Sequence, residues 1–418
     1  MTSLRSNPAA LRVLLSSVVA RLPLPMAGIV LLVHAHARTG SFSTAGIVTA
    51  AYAIAVGAGG PGLGRLVDRR GQTVVLAGSA VTAALLLGAF AAVPAPAPWV
   101  LVALAAGIGL ATPPAGACAR ALVPHLWRDP GAARRAYAID ATAVELTWVA
   151  GPPLALGCAA VLSTGAAVVT VAAIVLVGTL AFAAQPASRR WRPEPAGPAR
   201  RGGALRSPGL RTLVGALLAV GVLFGGVEVA VTAQATHMDH GAAGGALLGL
   251  WGLGSLLGGA LATRLGGSAT TGAGLARLLA LLAAGHLALP VAASGLAPLG
   301  AVLLVAGAAI APTYAAVYAI AGRVAPAGTA TEAFAWLATA AAVGSAAGNA
   351  LAGVLAEHGG ATTAFLLAAG AAVVACAITG ARAGTLGDPA APRHPDRTMR
   401  AARGPATIVG LVTGRAHP

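Results

Sequence analysis

Apolar stretches of about 20 residues, separated by short polar connections, follow one another along this chain of 418 residues. A helix needs about 20 apolar residues to cross the hydrocarbon layer of a bilayer. The pattern therefore predicts twelve membrane-spanning helices, near residues 12–34, 44–63, 73–93, 98–118, 137–161, 165–185, 211–233, 244–264, 274–293, 297–319, 328–352 and 360–380. A signal peptide is the alternative for the first stretch, but Arg21, Pro23 and Pro25 interrupt its apolar run, and we interpret it as a span.

Composition agrees with a chain whose solvent is lipid. Hydrophobic residues make up 57% of the sequence, charged residues make up 9%, and the mean hydropathy is +0.82. Soluble domains carry about 25% charged residues. All 27 basic residues are Arg, and the absence of Lys excludes Schiff-base chemistry and a phosphate-binding loop that depends on Lys. Cys118, Cys158 and Cys376 have no paired spacing, and we expect them to be small packing residues.

The distribution of Arg predicts the orientation of the spans. Even-numbered connections and both tails are rich in Arg, whereas the odd-numbered connections hold only Arg38. Loops rich in Lys and Arg stay in the cytoplasm. We therefore expect a multi-pass protein of the cell inner (plasma) membrane with both termini in the cytoplasm. The net charge of +16 then reflects membrane orientation rather than nucleic-acid binding.

A long connection rich in Pro, Gly and Arg divides the predicted spans into two groups of six. The predicted fold is all-α integral membrane, with two pseudo-symmetric six-helix bundles. The bundles are expected at residues 1–188 and 210–384, with a cytoplasmic linker at 189–209 and a basic, disordered tail at 385–418. Asp140 precedes Gly151 by eleven residues and Glu332 precedes Gly344 by twelve, which indicates a weak internal repeat.

The connection between the second and third predicted spans has the most informative motif of the chain, Gly64-Arg65-Leu66-Val67-Asp68-Arg69-Arg70-Gly71. Its pattern of Gly64, Asp68, Arg69 and Gly71 resembles the signature loop of the major facilitator superfamily of secondary transporters. The resemblance implies that Asp68 and Arg69 make a charge contact with the other half and steady one conformation of the transport cycle. Positive-inside charges alone are the alternative explanation. The equivalent segment of the second half, near residues 252–267, keeps glycines and Arg264 but has no acidic residue.

A second motif lies in the fifth predicted span, where Gly151 and Pro152 occur together. This pair is similar to the Gly-Pro signature in the fifth span of proton-antiporting members, although Leu154, Ala155 and Leu156 replace the glycines that follow it there. A Pro inside a helix removes one hydrogen bond and bends the helix. The alternatives are an antiporter motif and an ordinary proline kink.

Ionisable residues inside spans are costly and are candidates for function. Arg21 and Glu145 lie at a similar predicted depth, so an ion pair between them is possible. Either Glu145 exchanges protons under the influence of Arg21, or the two residues form a permanent structural pair. Glu228, in the outer half of the seventh span, has three possible roles: binding a cation, relaying a proton or pairing with Arg38.

For the other charged residues the sequence predicts structural roles. Asp140 and Glu332 are interpreted as residues that favour the N-terminal ends of their helices. Drug-exporting members often carry an Arg within the fourth span; here residues 103–109 are uncharged and Arg120 comes only at the far end. No cluster of His, Cys, Asp or Glu has metal-ligand spacing.

Together these patterns predict a secondary active transporter that works by alternating access and exports a small amphipathic compound in exchange for protons. Uptake or facilitated diffusion of a small metabolite is the alternative. An intramembrane enzyme or a receptor would need a catalytic cluster or an output domain. We expect a monomer that interacts with its small-molecule substrate, protons and the lipid bilayer, without cofactor, metal or nucleic acid.

Overall fold

The computed structural model describes residues 8–93, 98–192, 203–239 and 243–387 of the chain. Residues 193–202 of the predicted linker and nearly all of the predicted tail lie outside the described residues. The described part is helical, and we number its spans in chain order: α1 (Pro8–Arg21 and Pro23–Thr39), α2 (Phe42–Arg70), α3 (Gln72–Ala92), α4 (Pro98–Ala111 and Ala115–Leu126), α5 (Pro130–Val161), α6 (Thr164–Ala183), α7 (Pro208–His237), α8 (Ala243–Arg264), α9 (Gly272–Leu287 and Leu289–Ala292) and α10 (Leu296–Gly307 and Ile310–Val324).

The last helical run, Ala330–Ala381, contains two spans. Its 52 residues would be far too long for one crossing, since about 20 residues suffice. Gly360, with φ at 74° and ψ at 175°, breaks the helical conformation, and glycine adopts this region without steric cost. We number residues 330–359 as α11 and residues 361–381 as α12. Eleven continuous runs among the described residues are long and apolar enough to cross a membrane, and this break gives the twelve predicted spans.

Side-chain caps mark the start of several spans. A Ser, Thr or Asp side chain accepts a hydrogen bond from an N–H group of the first turn and so satisfies one of the free backbone donors there. The capping residues are Ser41, Asp129, Ser163, Ser207 and Thr271. The start of α11 is different, because Thr329 precedes it without making a side-chain cap.

The charged motif between the second and third spans is mostly helical rather than a loop. α2 continues through Arg70, and Gly71 alone, with φ at 94°, separates it from α3. Charged residues at the end of a membrane helix extend into the polar interface, so they do not need to end the helix. The end of the bundle that carries Arg65, Arg128 and Arg264 is called the Arg-rich end below.

The two halves repeat one close helix contact. Gly109 of α4 lies against the Tyr52 carbonyl of α2, and Gly307 of α10 lies against the Trp251 carbonyl of α8. Gly59 and Gly258 make the reciprocal contacts, with Leu110 and Ala308 respectively. A Cβ atom at any of these four glycines would collide with backbone, so the helices approach as closely as small residues permit. The contacts are 198 or 199 positions apart, which identifies α2 and α4 as the counterparts of α8 and α10.

Large apolar side chains cover the outside of the bundle. Leu85, Val161 and Val291 are 69%, 81% and 81% exposed, and a soluble protein does not expose so many large apolar residues over its surface. The interior is built mainly from Ala, Val and Leu, with few charged residues among its buried positions. This distribution is that of an integral membrane protein.

Candidate functional site

At the Arg-rich end, a carboxylate of the first half caps a helix of the second half. Asp68, in the last turn of α2, accepts hydrogen bonds from the backbone N–H groups of Thr331 at 3.1 Å and of Glu332 at 2.8 Å. These donors belong to the first turn of α11, where free N–H groups and the helix dipole favour a negative charge. Asp68 is 3% exposed. It therefore supplies the cap that Thr329 does not.

An ion pair lies beside this cap. Arg65 donates to both carboxylate oxygens of Glu332, from Nε at 3.2 Å and from Nη2 at 2.9 Å. The Arg65 side chain is 48% exposed and that of Glu332 is 4% exposed. Gly64 permits the approach, because a Cβ there would lie 3.0 Å from the Cα of Glu332 and from the carbonyl oxygen of Thr331. Among the described residues this is the only ion pair that joins the two halves.

The geometry changes the roles expected within the motif. Asp68 contacts the other half, as the resemblance implies, and the groups that it contacts are the backbone N–H groups at the start of α11. Arg69, which was expected to share this contact, has no hydrogen bond or ion pair to any described residue, and Arg65 takes its place. Glu332, interpreted as a residue that only favours a helix start, does lie in the first turn of α11 and also binds Arg65.

A buried ionic cluster lies deeper in the first half. Asp140 of α5 binds Arg21 of α1 through Nη1 at 2.7 Å and Arg120 of α4 through Nε at 2.8 Å. All three side chains are at least 91% buried. We refer to these three residues as the Arg–Asp–Arg cluster.

The predicted ion pair between Arg21 and Glu145 is wrong, because Arg21 binds Asp140. Asp140 and Glu145 are five positions apart on one helix, so they point about 140° apart around its axis. Asp140 faces α1 and α4, whereas Glu145 faces α8. Arg21 therefore meets Asp140, which had been assigned only to a helix end. Arg120 of the fourth span adds a second guanidinium beside Asp140.

Aromatic side chains of the second half cover the cluster. The Cζ atom of Arg120 lies 3.8 Å from the centre of the Tyr318 ring, a cation–π contact. Phe334 of α11 lies 6.2 Å from the Tyr318 ring and 6.2 Å from the ring of Tyr137 in α5. Tyr318 and Phe334 therefore pack against the first half at the boundary between the halves. Ring contacts continue deeper into the second half along Tyr314, Phe224, Trp251 and His286.

Two acidic residues lie nearer the middle of the spans. Glu145 is half-buried and faces the hydroxyl of Ser255 in α8, so it points across the boundary between the halves. Glu228 of α7 lies against Asn349 of α11, within the second half. Neither carboxylate forms an ion pair with a described residue. Arg38, considered as a partner for Glu228, donates instead to the carbonyl of Val93.

The Gly-Pro pair of the fifth span lies where α5 packs against α1. Gly151 faces α1, where a Cβ would lie 2.7 Å from the Cγ of Pro25. The helix continues past Pro152 to Val161. Within the described residues, no group of three or more His, Cys, Asp and Glu side chains could hold a metal ion.

A membrane protein of two six-helix halves, joined at one end by a helix cap and an ion pair, has the architecture of a secondary transporter. The family model of the Major Facilitator Superfamily matches residues 13–305, and the chain belongs to this family. It is a transporter.

Solved structures agree with this fold. The chain resembles the human organic anion transporter MFSD10 (TETRAN), with 18% identity, a TM-score of 0.65 and coverage of 89% of this chain and 97% of the other. It also resembles a bacterial homologue of the iron transporter ferroportin in the outward-facing state, with 15% identity, a TM-score of 0.71 and coverage of 89% and 98%. At these identities the likeness shows the fold alone. No curated protein sequence matches the chain.

Four residues make more contacts in the structure than their positions in the sequence predict: Arg65, Arg120, Asp140 and Glu332. The signal for Asp140 and Glu332 was present in their matching positions before a glycine of the fifth and eleventh spans. Arg120 lies within six residues of the end of α4, and a charged residue near the end of a span is expected to lie at the membrane–water interface. Its burial depends on the neighbouring helices.

Proposed function

We propose that the protein is a proton-coupled exporter of small amphipathic compounds that works by alternating access. The contact between Asp68 and the start of α11 carries this proposal. It joins the halves through two hydrogen bonds that can break reversibly, because water can replace both the acceptor and the donors when the halves separate. The structure then represents the state closed at the Arg-rich end, and separation of the halves at this end gives the opposite state.

The positive-inside distribution supports a cytoplasmic Arg-rich end and a location in the plasma membrane. Both termini then lie in the cytoplasm, and each copy works as a monomer with its own pathway. Tags placed after Pro94 and after Pro198 should be accessible from opposite sides of the membrane. Accessibility of both tags from the same side would disprove this topology.

Glu145 is the proposed proton carrier. It lies in the middle of α5 and faces Ser255 of the other half, so its surroundings change when the halves move. No guanidinium group in the described part of the chain binds it, whereas Asp140 lies between two guanidinium groups. A carboxyl group without a fixed counter-charge can bind and release a proton during the cycle without breaking an ion pair.

The test of this role is Glu145→Gln in sealed proteoliposomes. The variant should lose substrate flux driven by a pH gradient and keep exchange of substrate down its own gradient. Glu357→Gln is the matched control, because Glu357 is exposed near the end of α11. Proton-driven flux that is unchanged by Glu145→Gln would remove Glu145 from the coupling mechanism.

Aromatic residues of the second half support an amphipathic substrate. Phe224, Trp251, Tyr314 and Tyr318 form a connected set of rings that begins at the boundary with Tyr318 and continues into the second half. Such rings favour apolar and aromatic groups over sugars with many hydroxyls. The structural neighbours do not narrow the choice, since one is described as an organic anion transporter and another as a homologue of an iron transporter. Growth of cells with and without the protein on a panel of toxic compounds would identify exported substrates. Net uptake, rather than export, of every compound that is moved would favour a metabolite importer.

A further inference from the structure

The Arg–Asp–Arg cluster has an unbalanced charge. It holds two guanidinium groups and one carboxylate, all at least 91% buried, so it carries one excess positive charge. Isolated charges in the membrane interior are costly and are normally paired. Neither Glu145 nor Glu228 forms an ion pair with either arginine. The described residues therefore provide no counter-charge for the second guanidinium.

The two arginines differ in how their donors are used. Each guanidinium nitrogen of Arg21 has a contact: Nε donates to the carbonyl of Ser17, Nη2 donates to the Ser17 hydroxyl, and Nη1 forms an ion pair with Asp140 without a hydrogen bond. Arg120 uses only Nε, toward Asp140. The N–H groups on its Nη1 and Nη2 atoms have no acceptor in the described part of the chain. Arg120, whose side chain is 7% exposed, therefore has two nitrogen atoms that make no contact with an acceptor among the described residues.

The break in α4 leaves further free donors one helical turn before Arg120. The second segment of α4 begins at Ala115, and the N–H groups of Gly116 and Ala117 donate to no described residue. The Cα hydrogen that a side chain would replace at Gly116 points toward both arginines. A Cβ atom there would lie 3.1 Å from the Cδ of Arg21 and 3.5 Å from the Nη1 of Arg120. A helix start within a membrane span, beside an arginine with free donors, suits a negatively charged group.

We propose that Arg120 and the Gly116 end of the α4 break form a binding site for the anionic group of the transported compound. This inference rests on the proposed transport function and narrows its substrate class to amphipathic organic anions. The free Nη donors bind a carboxylate or a sulfonate, and the neighbouring aromatic rings contact the apolar part. An organic cation is disfavoured, because the cluster is already positive.

The position of Tyr318 explains how such a compound reaches the site. Tyr318 belongs to the second half and covers one face of the Arg120 guanidinium, which belongs to the first. Separation of the halves at the Arg-rich end removes this ring from Arg120 and opens the guanidinium to solvent. The anion then binds before the halves close again.

Three probes that share a benzene ring test the proposal: benzenesulfonate, benzyltrimethylammonium and benzyl alcohol. Thermal unfolding of the purified full-length protein is measured at increasing concentrations of each. Benzenesulfonate should raise the unfolding temperature in a saturable manner, and the other two probes should have little effect. Arg120→Gln should weaken the apparent affinity for benzenesulfonate about tenfold or more, since it removes a charged hydrogen-bond donor.

Two further variants separate binding from folding and from net charge. Arg128→Gln removes one positive charge from an exposed position near the end of the same helix, and its affinity for benzenesulfonate should equal that of the wild type. Gly116→Ala keeps the charge of the cluster but places a methyl group where the anion binds, so it should weaken binding even if Arg120→Gln does not fold. Stabilisation by benzyltrimethylammonium alone, or equal benzenesulfonate affinity in all variants, would overturn the proposal.

Flux in proteoliposomes separates this inference from the transport function. Proton-driven flux of the cation, without flux or binding of the sulfonate, would leave the exporter intact and remove the anion site. Binding of the sulfonate with no flux of any compound on a wider panel would support the site and contradict the exporter.

Discussion

The starts of α5 and α11 occupy equivalent positions in the two halves but are capped in different ways. α5 is capped by its own N-terminal neighbour, since the Asp129 carboxylate accepts from the N–H of Ala132 at 2.6 Å. α11 has no such local cap and receives the Asp68 carboxylate from α2 of the other half. The corresponding position after α8 is Gly267, which lies against Arg134 in α5 and carries no acidic group.

The difference separates a permanent contact from a conditional one. A cap from a residue three positions away persists whatever the two halves do, so Asp129 stabilises α5 in every state. A cap from the other half exists only while the halves are together at that end. The free energy of capping α11 therefore contributes to the equilibrium between states, whereas that of capping α5 contributes to folding. Three substitutions test this comparison.

The largest effect is expected from Asp68→Ala. The substitution removes a charged acceptor from two N–H groups at a buried helix start, with an expected cost of about 2 kcal/mol, at the upper end of the range for N-caps. This cost falls only on the closed state, so its population relative to the open state should drop about 30-fold. Distances between spin labels at residues 128 and 265, one in each half at the Arg-rich end, measure the shift after Cys118, Cys158 and Cys376 are replaced.

Asp129→Ala is the matched control for Asp68→Ala. It should lower the free energy of unfolding by about 1 kcal/mol and leave the distribution of label distances unchanged. If both substitutions shift the distances equally, or if Asp68→Ala leaves them unchanged, the contrast between the two caps is wrong.

A smaller effect is expected from Gly64→Ala. The added methyl group would lie 3.0 Å from backbone atoms of Thr331 and Glu332, so α2 and α11 must separate by a few tenths of an ångström in the closed state. The cost is about 1 kcal/mol, at the lower end for overpacking, which predicts a roughly fivefold loss of the closed state. Gly62→Ala should have no effect, because no atom lies within 4 Å of the methyl group that it adds. Equal label distances in both variants would show that the helices have room at Gly64.

The smallest effect is expected from Arg65→Gln. The Arg65 side chain is 48% exposed, and exposed ion pairs contribute about 0–1 kcal/mol. The population of the closed state relative to the open state should therefore fall by about fivefold or less. The exchange Arg65→Glu with Glu332→Arg should recover part of the loss that Arg65→Glu causes alone. A double variant that behaves no better than the single variant would show that charge pairing contributes nothing here.

The two halves also differ at matched positions on α4 and α10. The glycine contacts place α10 at an offset of 198 from α4, so Arg120 corresponds to Tyr318. Each residue thus packs against its own counterpart across the boundary. The first half contributes the ionic cluster, and the second contributes the aromatic rings. A repeated scaffold therefore carries two different chemistries, and both meet where a compound would cross between the halves.

Much of the fold could be predicted because its signals are local. The length of each apolar stretch gives the number of spans, and the motif at residues 64–71 gave the family, which its family model confirms. Span ends were less accurate: α2 runs seven residues beyond its predicted end at 63, and α5 begins seven residues before 137. Charged residues at those ends remain helical because the interface solvates them. The linker and tail, at residues 189–209 and 385–418, remain predictions of the sequence.

What the sequence determined by itself is therefore a helical membrane protein of twelve spans, since burial in lipid depends on runs of apolar residues that can be read one segment at a time. Only the tertiary structure decided that Arg21 meets Asp140 instead of Glu145 and that Arg65 replaces Arg69 at the contact between halves. It also decided that Arg120 has donors without an acceptor among the described residues. These pairings depend on the rotation of each helix about its axis relative to its neighbours. That rotation results from packing among all the helices together and from no single stretch of the chain.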